Sequence, residues 1–371
     1  MDRSTEIVID SVSWSQRPVP PDIAVLAGPR TMSVPLALLF TALSTRPPTV
    51  QGFHLADFWA WHRYAWAFDS SPDLRLRPEW ENVDPHQKAV LSDELGVGFT
   101  TYLLSTELGC SQFVDTLHFV NVLEPGSFLL TSSAKRGPKK SPDYVARDGS
   151  SNYYVLECKG TQSNLKELAA AIGRGQEQKE SLTPQGGTTV MHSLVAGLFI
   201  PSWRSSECSQ ITIADPTWHE FEELLASRSN FDVNEALVQV ALAKSFALIG
   251  FPETASALVS MRPDERGELP PTARGELRRR RRSDTQPLDI VFDTSDLQSR
   301  ADAQAPLSWH ARFLASAPGP LVAALDEGQP ARNLIQRLVS DSTHPNWHTD
   351  TGETFAELQT PLRFNLRLEV R

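Results

Sequence analysis

Three charged residues, Asp143, Glu157 and Lys159, are spaced so that a hairpin would bring them together. Asp143 opens a short β-like run after Ser141-Pro142, and Glu157-Cys158-Lys159 closes a second run that begins at Tyr153. Between the two runs lies the turn signal Asp148-Gly149-Ser150. Period-two alternation in the second run sends Tyr153, Val155, Glu157 and Lys159 to one side and Tyr154, Leu156 and Cys158 to the other. Acid and ammonium therefore share a face, and a hairpin partner beginning at Asp143 would add a second carboxylate. Two convergent carboxylates make a hard-oxygen site suited to Mg2+ or Mn2+, completed by water and a substrate phosphate. The ordinary alternative is a cross-strand salt bridge on a solvated face. Spacing, shared face and the order of surrounding elements together favour the site.

The elements needed to position these residues can be read around them. Leu91, Leu95, Phe99, Tyr102 and Leu103 recur at helical spacing within 88–104. Strands are expected at 113–122, 127–131, 143–147 and 153–159, then a helix after Asn164 whose second half is weakened by Gly173 and Gly175. Strands at 190–200 and 210–214 follow, then helices at 218–226 and 233–248. The pattern predicts an α/β fold with a mixed central sheet flanked by helices. Four regions are expected: an aromatic-rich α/β region at 1–87, a central domain at 88–261, an Arg/Pro-rich linker or exposed loop at 262–287, and a C-terminal α/β region at 288–371. The linker reading rests on Pro, Gly and Glu around five consecutive arginines, 278–282. In the last region a strand at 288–292, helices at 309–315 and 321–340 and an alternating segment at 362–370 are expected.

Pro142-Asp143 with Glu157-Cys158-Lys159 resembles the PD-(D/E)xK motif of the restriction endonuclease-like nucleases. The resemblance covers roughly 91–226 and implies a restriction endonuclease-like core carrying additional N- and C-terminal regions. It implies a Mg2+- or Mn2+-dependent endonuclease hydrolysing DNA phosphodiester bonds, in the setting of bacterial antiphage defence or restriction. Carried onto this chain, it gives Asp143 and Glu157 as metal ligands, with the Cys158 backbone carbonyl as a further one. Lys159 would position or deprotonate the attacking water. Glu94 would be the helix-borne acid, although an acid near a helix start is also an ordinary dipole partner. Gln176 would stand beside the metal, with Gln178 as its competitor. Lys135, Arg136, Lys139, Lys140 and Arg174 would meet the DNA backbone, with Arg147, Lys166 and Lys179 adding charge. An RNase, or a scaffold subunit that keeps the fold without turnover, are the alternatives.

Composition sets the limits. The net charge of −10 argues against general affinity for nucleic acid, yet residues 131–180 hold nine Lys or Arg against six Asp or Glu. The phosphate-binding surface must be local. Three cysteines, Cys110, Cys158 and Cys208, are too few for a disulfide framework and point to a reducing, cytoplasmic setting. The longest apolar runs fall far short of the roughly 20 residues that span a bilayer, and no secretory signal is readable. No membrane is expected as a partner; a protein partner or a second copy of the chain could engage the flanking regions. The nucleophile elbow, the phosphate-binding P-loop and the dinucleotide fingerprint are absent. His344, Trp347 and His348 lack a cysteine nearby and read as a surface loop. The aromatics of 51–69 read as core.

Overall fold

A computed structural model describes residues 2–15, 18–45, 64, 67–119, 128–130, 141–148, 152–179, 182–184, 190–215, 231–262, 267–283, 290–293, 311–341, 347–352 and 355–370. The first half contains β1 (Asp2–Ile9), α1 (Pro21–Ala24), β2 (Gly28–Ser33), α2 (Val34–Thr45), a 3-10 turn (Pro78–Asn82), α3 (Pro85–Glu107), β3 (Cys110–Asp115), α4 (Thr116–His118) and β4 (Phe128–Leu130). Then come β5 (Tyr144–Asp148), β6 (Tyr153–Thr161), α5 (Leu165–Lys179), β7 (Leu182–Pro184), β8 (Val190–Phe199), β9 (Gln210–Ala214) and α6 (Phe231–Leu248). The chain closes with α7 (Pro252–Ser260), α8 (Pro271–Ser283), β10 (Ile290–Asp293), β11 (Ala311–Ser316), α9 (Gly319–Asp326), α10 (Ala331–Asp341), β12 (His348–Thr351), β13 (Phe355–Gln359) and β14 (Asn365–Val370).

A seven-stranded mixed sheet in the order β2-β1-β9-β8-β6-β5-β3 forms the centre. β6 runs parallel to β8 and β1 parallel to β9, while β3, β5 and β6 form an antiparallel meander. The parallel step from β6 to β8 requires a crossover, and α5 lies between them in the chain. The α/β class and the helix-flanked mixed sheet therefore hold. From the expected region 1–87, β1 and β2 extend this same sheet beyond β9.

Local chemistry explains the elements that matter. Asp84 caps α3 by accepting the His86 N–H at 2.9 Å, with Pro85 at the first helical position. Asn164 caps α5 through the Glu167 N–H at 2.9 Å. The expected strand at 113–122 stops at Asp115, where the chain turns into α4. The expected helix at 218–226 lies outside the described residues.

The C-terminal part differs more. α8 replaces the expected linker: Ala273, Glu276 and Leu277 are buried, and Glu276 accepts from the Thr254 N–H and hydroxyl at 2.8 and 2.9 Å. An arginine-rich helix with one apolar edge suffices when a neighbour covers that edge. The segment expected as a helix near 309–315 is strand β11, paired with β10 and β14 in a five-stranded sheet. This sheet docks through Phe364 on Phe246 of α6, ring centroids 5.2 Å apart, and through the Trp347 indole, which donates to the Cys110 carbonyl at 2.7 Å. It shares a continuous core with the central sheet. Trp347 is thus packed at a joint, while His348 is exposed on β12; His344 lies outside the described residues.

Candidate active site

The β5–β6 hairpin forms as expected, and its register decides the site. Asp148 clamps the turn by accepting the Asn152 N–H and side-chain amide, each at 2.8 Å. Tyr144 pairs with Leu156, so Asp143 falls level with Glu157. Asp143 Oδ2 then accepts the Cys158 N–H at 2.8 Å, which extends the hairpin by one side-chain bond. N–H and C=O of one strand residue point the same way, so the Cys158 carbonyl also faces the Asp143 side.

The alternation is realised in two separate cores. Tyr153 and Val155 pack with Val114, Val145 and residues of α6, while Tyr154, Leu156 and Cys158 join the larger core that includes α3. Glu157 sits on the first of these faces, buried, with Lys159 beside it. Lys159 Nζ is in close contact with Glu157 Oε1. Glu157 Oε2 is buried and has no hydrogen-bond partner among the described residues.

Two helices wall this point, each at a glycine. A Cβ on Gly175 of α5 would come within 2.8 Å of Val195 Cγ1 and 3.1 Å of Glu157 Cγ. On the other side α3 meets β6 backbone to backbone: a Cβ on Gly96 would collide with the Lys159 carbonyl, and one on Gly160 with that of Ser92. This close approach brings Asp93, in the third turn of α3, within electrostatic reach of Lys159.

Burial raises the Glu157 carboxyl to about 8, reinforced by the Asp143 charge and opposed by Lys159. Asp143 is also raised, chiefly by burial, against the Cys158 N–H and Lys159, which favour its ionised form. Burial would lower Lys159, but Glu157 and Asp143 outweigh it and raise the ammonium. Asp93 is raised by burial and drawn back by Lys159.

The structure therefore brings Asp143, Glu157, Lys159 and the Cys158 backbone to one end of the sheet. The α3 acid whose charge reaches Asp143 is Asp93. Glu94 is half-buried on the same turn, with its carbonyl accepting from Thr41 of α2 at 3.3 Å. Adjacent helical positions diverge by about 100°, so the two acids leave the helix in different directions. Gln176 is half-buried, one residue beyond Gly175, and Arg174 is exposed. Arg147 is buried within the hairpin and is not part of a basic surface. Lys135, Arg136, Lys139 and Lys140 lie outside the described residues. Asp93 and Gly175 were missed as site residues; the available signal for Gly175 was a glycine in a helix with no turn to make.

Among the described residues, no three His, Cys, Asp or Glu side chains converge on one point. The donors for a hard cation are Asp143, Glu157 and the Cys158 carbonyl, a set that needs water or substrate oxygens to complete it. No described helix is long and apolar enough to cross a membrane. Comparison with protein-family models, with curated proteins and with solved structures returned no match in any of the three.

Proposed function

We propose that the chain is a Mg2+- or Mn2+-dependent phosphodiesterase of the PD-(D/E)xK type, acting on DNA. The observation that carries this reading is Glu157, a buried carboxylate with one oxygen on Lys159 and the other unpartnered. Orphaned buried carboxylate oxygens are costly and persist where a ligand uses them. The order of elements supports it as well: α3 is followed by the meander β3-β5-β6, the crossover α5 and the parallel strand β8.

In this reading Asp143 and Glu157 hold the cation, with the Cys158 carbonyl as the third protein oxygen. The bound cation would lower the pKa of attacking water and neutralise charge on the phosphoryl oxygens. Lys159, held on the same face by Glu157, orients the attacking water and balances charge on the scissile phosphate. Asp143 keeps its carboxylate aimed inward through the Cys158 N–H. Gly175 keeps α5 against Glu157 and Lys159, which limits water around both groups. Antiphage defence or restriction is the setting that the motif suggests.

The test is nicking and linearisation of supercoiled plasmid with Mg2+, Mn2+ or EDTA, comparing wild type with Glu157→Gln and Lys159→Ala. Metal-dependent cleavage lost in both variants is the expected result. Absence of cleavage together with absence of Mn2+ binding by calorimetry would support a scaffold instead; cleavage of RNA alone would move the substrate.

A further inference from the structure

A groove of about 460 Å³ opens beside the candidate site, between the 3-10 turn, the first turns of α3 and the loop after β6. Asp93 and Gly160 are among its lining residues, and Gly160 directly follows Lys159 in the chain. Its lining combines apolar groups, Leu76, Ala89 and the indole of Trp80, with hydroxyl and amide groups from Ser92, Gln162 and Ser163, and includes charged side chains of both signs. Gln162 is held in place by donating to the Lys88 carbonyl at 2.9 Å. Mixed apolar and polar walls in a volume of a few hundred Å³ suit one small, flat ligand with polar edges. The groove is too small for a duplex and large enough for one nucleoside.

A second observation lies next to it in the chain. One residue beyond Ser202, which also lines the groove, Trp203 is 39% exposed. The guanidinium of Arg204, exposed and in a loose 3.8 Å ion pair with Glu81 of the groove wall, sits 4.7 Å from the Trp203 ring centroid. An exposed tryptophan beside an arginine is a combination that single-stranded nucleic acid uses for stacking and phosphate contact.

We infer that the groove holds one unpaired nucleoside adjoining the scissile phosphate, and that Trp203 stacks on a neighbouring base, so the substrate is a single-stranded segment. This rests on the hydrolase reading above and names the substrate class of that site. Supercoiled plasmid would be cut at its transiently unpaired regions, faster than relaxed plasmid.

The test measures fluorescence anisotropy of a short labelled DNA single strand and of the matching duplex in EDTA, where cleavage is off. Wild type is compared with Ala89→Trp and Ser163→Trp, which fill the groove from opposite walls at exposed positions, and with Trp203→Ala. Thermal melting and Mn2+ calorimetry check that fold and metal site are intact. Expected are a single-strand preference of roughly tenfold and a tenfold loss in each filled variant, and a loss of about fivefold or more for Trp203→Ala. Equal affinity for strand and duplex, with filled variants binding like wild type, overturns the groove assignment; Glu157-dependent plasmid cleavage would then still stand. Strand binding that the fillers abolish, without metal-dependent cleavage, keeps the groove and removes the hydrolase reading.

Discussion

Two lysine–carboxylate pairs lie at the same end of the central sheet, Lys159 with Glu157 and Lys244 with Asp115. In the second pair the lysine side chain is 2% exposed and the aspartate 28%, with Nζ and Oδ2 2.6 Å apart. Lys244 also donates to the Ser44 carbonyl at 2.9 Å and reaches the Phe113 carbonyl at 3.5 Å, so it ties α6 to α2 and β3. In the first pair the exposures reverse: Glu157 is 0% exposed and Lys159 21%. Coulomb attraction is common to both, and what differs is how the buried member is satisfied. The buried lysine has carbonyls around it and works as a strut. The buried glutamate has an oxygen left over, and its proton affinity rises accordingly.

The largest test of this contrast is catalytic. Lys159→Ala should reduce metal-dependent cleavage by roughly 10²–10⁴-fold, while Lys244→Met leaves cleavage per folded molecule unchanged. A kinetic assay normalised to folded protein checks it, and an inactive but folded Lys244→Met would break the comparison.

Stability should invert the ranking. Lys244→Met removes the charge that Asp115 and two carbonyls face, costing about 3 kcal/mol in denaturant unfolding. Lys159→Met should cost less than about 1 kcal/mol, because Glu157 can take up a proton near neutral pH.

A smaller effect follows from the sign of the Glu157 shift. Its folded pKa of about 8 lies above the ordinary 4.5, so this group contributes stability at low pH that is lost as pH rises between these values. Glu157→Gln has no such loss. In EDTA near pH 8 the variant should melt about 2–4 °C above wild type, and the gap should narrow toward pH 5. A wild type that melts higher than Glu157→Gln near pH 8 would contradict the burial argument.

The finest distinction concerns the wall of the pair. Gly173→Ala, with nothing within 4 Å of the new Cβ, should stabilise by roughly 0.5–1 kcal/mol. Gly175→Ala should destabilise by about 1 kcal/mol or more and slow cleavage, since its Cβ presses on Val195 and Glu157. Paired melting and cleavage assays separate the two glycines.

Much of the site was legible because a hairpin is local. The turn signal, the alternation of 153–159 and the position of Asp143 together specify which side chains converge, and the observed register agrees. Features that depend on distant neighbours were not legible. The arginine run of 278–282 is polar enough to read as a linker, yet it continues α8, whose Ala273 and Leu277 find a buried place. Residues 311–316 form a strand because β10 and β14 pair with them on either side. Membership of β1 in the central sheet depends on β9, some two hundred residues away.

By itself the sequence determined the local pairing and the chemistry available: two carboxylates and a lysine on one hairpin, in a chain whose overall charge is negative. Short-range period and turn chemistry suffice for that. Tertiary structure alone decided that Glu157 would be buried, that Asp93 would come near enough for its charge to act on Asp143, and that two glycines would let α3 seat against β6. Those outcomes depend on how closely helices approach a sheet, a property of packed surfaces that no single segment carries.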